Sequence, residues 1–159
     1  MIKLTDLLEN DILKPRRSPE ERQKNYKIST QKKIQKYIKD GGKGDLDLSG
    51  TPIEKLPDNL KVGGYLDLMD TPIKKLSDNL QVGSDLFLSN TPIKELPDNL
   101  NAGGNLFLVD TPIKEPPDNL KVDGNLFLPG TLLSKKYSEE EIRNMIEEKG
   151  GYVKGAIIM

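Results

Sequence analysis

The chain repeats itself at a period of 20 residues, through four full copies and without a slip. The copies read DLDLSGTPIEKLPDNLKVGG from Asp45, YLDLMDTPIKKLSDNLQVGS from Tyr65, DLFLSNTPIKELPDNLNAGG from Asp85 and NLFLVDTPIKEPPDNLKVDG from Asn105. A fifth copy, NLFLPGT, opens at Asn125 and breaks off. A unit this short cannot bury its own apolar face, so the copies must stack on their neighbours. The expected fold is a repeat solenoid, a stack of parallel strands with about five coils.

Each column of the repeat has a physical reading. Leu46 and Leu48 alternate with their neighbours, so they point inward from a short strand while Asp45, Asp47 and Ser49 point outward. Ile53, Leu56, Leu60 and Val62 complete the apolar set, and all recur in the next copy. The Thr-Pro column that starts at Thr51-Pro52 ends the strand, because proline has no N–H for a ladder. Its threonine hydroxyls are suited to backbone groups left unpaired at that corner. Pro57-Asp58-Asn59 marks a second turn, with Ser77 in place of proline in the second copy. The column Gly63-Gly64, Gly83-Ser84, Gly103-Gly104, Asp123-Gly124 marks the last corner, where glycine suggests positive φ. So many turns and prolines predict an extended or 3₁₀ loop side rather than α-helix.

The flanks read as arm and caps. Residues 1–29 form a basic N-terminal arm or linker. Within it Leu4, Leu7 and Leu8 share a helical face, and Ser18-Pro19-Glu20-Glu21 has the form of a helix start, although the segment is too polar to hold a helix on its own. Residues 30–44 carry a capping helix: Ser29 or Thr30 starts it, Ile34, Tyr37 and Ile38 form its apolar stripe, and Gly41-Gly42 stop it. The repeat occupies 45–131. Residues 132–159 form the far cap, with Ser138 and Glu141 as a capping box, an Ile142/Met145/Ile146 stripe, and a terminal strand over Tyr152–Met159.

The pattern Leu46-x-Leu48-x-x-Thr51-x-Ile53-x-x-Leu56-Pro57-x-x-Leu60 resembles the short leucine-rich repeat of bacterial proteins, LxLxxNxLxxLPxxL. The TPIxxLPDNL wording is similar to that of phage-encoded and environmental bacterial proteins. Thr51, Thr71, Thr91 and Thr111 stand where the family has asparagine, so its asparagine ladder is not expected. The resemblance implies a right-handed, curved solenoid whose concave strand side binds proteins. Some bacterial effectors with such repeats append a Cys-dependent ubiquitin ligase; the absence of Cys here excludes that activity.

Composition narrows the chemistry. With neither Cys nor His, the chain has no disulfides, thiolate or imidazole metal ligands, Cys nucleophile or Ser-His dyad. The glycines are corner residues and form no phosphate loop. Two carboxylates on an open solenoid face lack the apolar cleft of a glycosidase. The reading is a non-enzymatic protein without a cofactor or a metal site. No apolar run is long enough to span a bilayer, and MIKLTDLLEN lacks the core of a signal peptide, so a cytoplasmic location is expected.

The charge is uneven. Residues 1–44 hold 12 Lys/Arg against 6 Asp/Glu, and residues 45–131 hold 7 against 14. A basic arm over an acidic body allows nucleic-acid contact through the arm, or mimicry of nucleic acid by the body. The plainer readings are that the two parts attract each other or that the basic arm is simply solvated.

The outward strand positions form the candidate binding surface. Asp47, Asp67, Phe87, Phe107 and Phe127 share the central column, which holds all three phenylalanines of the chain. Asp45, Tyr65, Asp85, Asn105 and Asn125 form the column beside it. Tyr65, Asp67, Phe87, Phe107 and Phe127 are the candidate partner-binding residues. The rings are expected to stack about 4.8 Å apart, serving either a partner, self-association or the ladder itself. Asp47 and Asp67 are expected to repel across adjacent coils.

Overall fold

In a computed structural model, residues 18–159 are described. The Leu4/Leu7/Leu8 face and the first part of the basic arm lie outside them. Helix α1 (Pro19–Lys39) comes first, followed by nine two-residue strands. These alternate between two corners of each coil: β1 (Leu46–Asp47), β3 (Leu66–Asp67), β5 (Leu86–Phe87), β7 (Leu106–Phe107) and β9 (Leu126–Phe127) at one, β2 (Lys61–Val62), β4 (Gln81–Val82), β6 (Asn101–Ala102) and β8 (Lys121–Val122) at the other. Helices α2 (Leu132–Lys136) and α3 (Glu139–Glu148) follow, then β10 (Tyr152–Val153) and β11 (Ile157–Ile158).

The result is a parallel-strand solenoid with two sheets. The first runs β1-β3-β5-β7-β9-β11 and the second β10-β8-β6-β4-β2. Leu46 pairs with Leu66 and Leu66 with Leu86, so every rung repeats the last one 20 residues on. The second sheet is not evident from the Leu-x-Leu pattern. Each of its strands is only two residues long, with a single inward side chain such as Val62 or Val82, too little to show alternation. The loop side between Pro52 and Pro57 contains no helix, neither α nor 3₁₀, in keeping with its prolines.

The core is a column of leucines. Leu48, Leu66, Leu68, Leu86, Leu88 and Leu128 are fully buried, with Ile73, Ile93 and Ile113 behind them. Burying a Leu or Ile side chain contributes about 1.5–3 kcal/mol, so stacking the coils is the main source of stability. Five buried threonines close the corner: Thr51, Thr71, Thr91, Thr111 and Thr131 each donate Oγ1 to the leucine carbonyl three residues back, at 2.6–2.8 Å. The bond stays inside one coil, so threonine satisfies the corner without a side-chain ladder between coils.

The turns use left-handed backbone at two columns other than the expected one. Asn59, Asn79, Asn99 and Asn119 have φ of 54–60°. Gly50, Asp70, Asn90, Asp110 and Gly130 have φ of 56–79°. Asn, Asp and Gly are the residues that tolerate this region. Gly63, Gly64, Gly83, Gly103, Gly104 and Gly124 do not have positive φ, contrary to expectation, and neither does Asp123. Crowding selects glycine there: a Cβ on Gly83 or Gly103 would run into the carbonyl oxygen of the glycine one coil below.

Both flanks also differ from the reading of the sequence. Helix α1 starts at Pro19, not at residue 30, because Ser18 and Glu21 form a full capping box (3.0 and 3.1 Å) and the solenoid supplies the partners that the polar segment lacks. Tyr26 Oη donates to Gly50 O at 3.3 Å, and Lys27 pairs with Glu54 at 2.8 Å. Thr30 is thus buried inside the helix, donating to Tyr26 O at 2.9 Å, and caps nothing. Ile34 is buried as expected, but Ile38 is 47% exposed. At the other end Ile142 and Ile146 are buried, with Met145 packed beside them. The expected single terminal strand is two strands joined by Lys154-Gly155-Ala156, which continue both sheets by one rung.

Candidate functional site

The outward face of the first sheet gathers the sequence-selected residues. Phe87 and Phe107 are register partners, as are Phe107 and Phe127. Their ring centroids lie 4.6 and 4.4 Å apart with 10° between planes. The spacing follows that of the strands, about 4.8 Å. Tyr65, from the neighbouring column, meets Phe87 edge-on at 5.9 Å and 88°. All three phenylalanines are half-buried. Parallel rings this close cannot lie flat on the sheet, since a phenyl ring is wider than the spacing. They stand on it and present their edges. A ring edge carries the positive part of the quadrupole, so it suits an aromatic face, a thioether or an aliphatic side chain. Flat stacking of a base or a sugar, which uses ring faces, is poorly served.

The column has a different character at each end. Ile158 pairs with Phe127 and is 39% exposed, and Met159 beside it is 41% exposed. Ile158 extends the apolar stripe, whereas Met159 stands in the register of the inward Leu128; sequence reasoning missed both places. The signal was present: YVKGAIIM repeats the register of KVDGNLFL, with Gly155 at the place of Gly124. Towards the N-terminus, Asp67 pairs with Phe87, and Asp47 with Asp67. Asp47 Oδ1 accepts from the hydroxyl and N–H of Ser49 at 2.7 and 2.9 Å. Those bonds, with Lys33 nearby, hold its carboxyl below the ordinary range. Asp67 is half-buried, and burial pushes its carboxyl up; the Met69 N–H pulls the other way, and the charges of Asp47 and Asp70 add to the rise. The expected repulsion therefore falls mainly on Asp67.

The flanking column is structural. Asp45 Oδ1 accepts the N–H of Tyr65 at 3.0 Å, Asp85 that of Asn105 at 2.6 Å, Asn105 that of Asn125 at 2.8 Å and Asn125 that of Ala156 at 2.9 Å. These side chains brace the next coil instead of facing a partner. Tyr65 interrupts the series and alone turns its side chain to the phenylalanines.

Elsewhere the chemistry is sparse. A loop-side groove of about 620 Å³ is lined by Lys74, Lys75, Lys94, Asp78, Glu95 and Asp98, charges of both signs. Among the described residues no three acidic side chains converge as a metal site requires, and no helix is long and apolar enough to cross a membrane. Comparison with protein-family models, with curated proteins and with solved structures gave no match to this chain.

Proposed function

We propose that this chain is a non-enzymatic protein-binding module that receives its partner on the outer face of the six-stranded sheet. The observation that carries the reading is the unbroken stack of Phe87, Phe107 and Phe127, each only partly buried on the outer face. Aromatic side chains in such a position are the usual anchors of an interface. The fold does not need them there, because the inward leucines hold the coils together. The repeat itself is best read as a leucine-rich-repeat relative of bacterial or phage type in which threonine serves the asparagine corner. A nucleic-acid partner is less well supported, since the ring edges offer bases little to stack on.

Phe107→Ala tests the proposal. It removes the middle ring and two ring pairs, each contributing about 0.5–1.5 kcal/mol, so the variant should melt somewhat lower and remain folded. A protein retained by the wild type from an extract of the source cells should be lost with Phe107→Ala, with circular dichroism showing a native spectrum for both. Equal retention by the two forms would place the interface elsewhere. A wild-type protein that dimerises, with a dimer broken by Phe107→Ala, would make the partner a second copy.

A further inference from the structure

The pitch of the aromatic column says what shape of partner fits it, given the strand-face reading above. Successive rings are 4.6 and 4.4 Å apart. Three residues of α-helix rise about 4.5 Å, whereas two residues of extended chain advance about 6.6–6.8 Å. A helix laid along the solenoid axis keeps step with the rings: side chains i, i+3 and i+7 fall within about 1.5 Å of the three ring positions. An extended segment in the same place is out of step by about 4 Å at the third ring.

Charge then gives the helix an end. One step beyond Phe87 lies Asp67, half-buried, its Oδ1 taken by the Met69 N–H, and none of the ion pairs among the described residues involves it. The opposite end of the column is apolar, closed by Ile158. From Asp67 to Ile158 is four steps of the ladder, about 19 Å, or about 13 residues of helix.

We propose that the strand face takes an amphipathic α-helix of a partner protein, with apolar side chains at i, i+3 and i+7 on Phe87, Phe107 and Phe127 and a lysine or arginine one turn away at Asp67. Recognition of an amphipathic helix reads apolar anchors at helical spacing. The cation sets the direction and register that a uniform row of rings leaves free.

A phage-displayed library of random peptides, each roughly 16 residues long, selected on the wild type and screened against Phe107→Ala, tests this directly. Ligands that depend on Phe107 should show apolar residues at i, i+3 and i+7 with a Lys or Arg one turn away. As synthetic peptides they should bind Asp67→Asn about tenfold more weakly. Phe107-dependent ligands with an alternating apolar pattern, or ones indifferent to Asp67→Asn, overturn the helix inference while the strand-face reading stands. A selection in which no ligand is sensitive to Phe107→Ala overturns the strand-face reading as well.

Discussion

Gly104 and Asp85 form a lock between adjacent coils: the space a Cβ would take on Gly104 is filled by Asp85 Oδ1, which accepts the N–H of Asn105. The same pairing joins Asp45 to Gly64, Asn105 to Gly124 and Asn125 to Gly155. Where Tyr65 replaces the Asx residue, the paired position is Ser84, the one member of that corner series with a side chain. Gly104→Ser should therefore cost about 1–3 kcal/mol as an overpacked site, read as a shift in the urea midpoint. In the Asp85→Ala background the cost of the same substitution should shrink, and equal costs in both backgrounds would refute the lock. Asp67 makes a second residue-scale case. Its folded pKa lies above its unfolded one, so the fold binds the proton more tightly. Stability is then highest while the carboxyl is protonated and declines as pH rises from the ordinary carboxylate range through the folded value. Asp67→Asn keeps the oxygen for the Met69 N–H and removes the charge. It should melt higher than the wild type at pH 7, by an amount worth about 0.2–1 kcal/mol for relieving like charges, with exposure keeping it near the lower end. The gain should vanish in acid, where both forms are neutral.

At the scale of the element, the ends of the sheets are closed by single side chains. In the second sheet the carbonyls of Val62, Val82, Ala102 and Val122 each accept an N–H from the next coil, at 2.8–3.0 Å. At Val153 the donor is instead Arg143 from α3, which donates to Val153 O at 2.9 Å and to Gly155 O at 3.1 Å. At the other end Lys33 of α1 donates to Asp47 O, the carbonyl whose equivalents at Asp67 and Phe87 serve the preceding coil. Arg143→Ala should cost about 1.5–3 kcal/mol for the lost charged bonds and free an edge for pairing. Light scattering should show self-association that Arg143→Lys largely prevents; a monomeric Arg143→Ala protein would mean that α3 shields the edge by bulk alone. These elements also show what a reader of the sequence can and cannot see. The period, the leucine column, the threonine corner and the ring stack follow from spacing, because identical neighbours define one another. The length of α1 does not, because Pro19–Lys27 is too polar to mark itself as helix and is tied to the solenoid only at its end, by Tyr26 to Gly50 O and Lys27 to Glu54. The role of Arg143 is equally silent: one arginine on an exposed-looking helix face carries no signal until the carbonyls it meets have been placed. Asp67 and the phenylalanines were legible as a column, with Tyr65 in the one beside it, while the contribution of Ile158 was hidden because it follows Phe127 by 31 residues instead of 20.

The whole molecule is one stack in which each coil is held by its neighbours, so stability is carried by interfaces and the last interface matters most. Residues 132–159 supply the final rung of both sheets and the apolar cover of Ile142 and Ile146 over it. The expected strand ends would otherwise leave Leu126 and Leu128, now 1% and 0% exposed, against solvent beside an open edge. Chain ending at residue 131 should therefore do more than shorten the protein. It loses the rung, the cover and the Arg143 plug at once, and it exposes a flat apolar edge of the kind that recruits other copies. The truncated protein should melt well below the full chain and elute as oligomer or aggregate, and the loss should exceed that of Arg143→Ala by several kcal/mol, since buried Leu and Ile side chains contribute about 1.5–3 kcal/mol each. The aromatic column offers an internal control, because Phe87 and Phe107 lie two coils and one coil away from the cut. If the truncated chain is monomeric with an unchanged melting temperature, the terminal coil is an ornament and the repeats are self-sufficient. If it unfolds only from the cut end, with hydrogen exchange rising in β9 and β8 while β1 to β4 stay protected, the stack transmits stability from coil to coil and the C-terminal rung is its boundary.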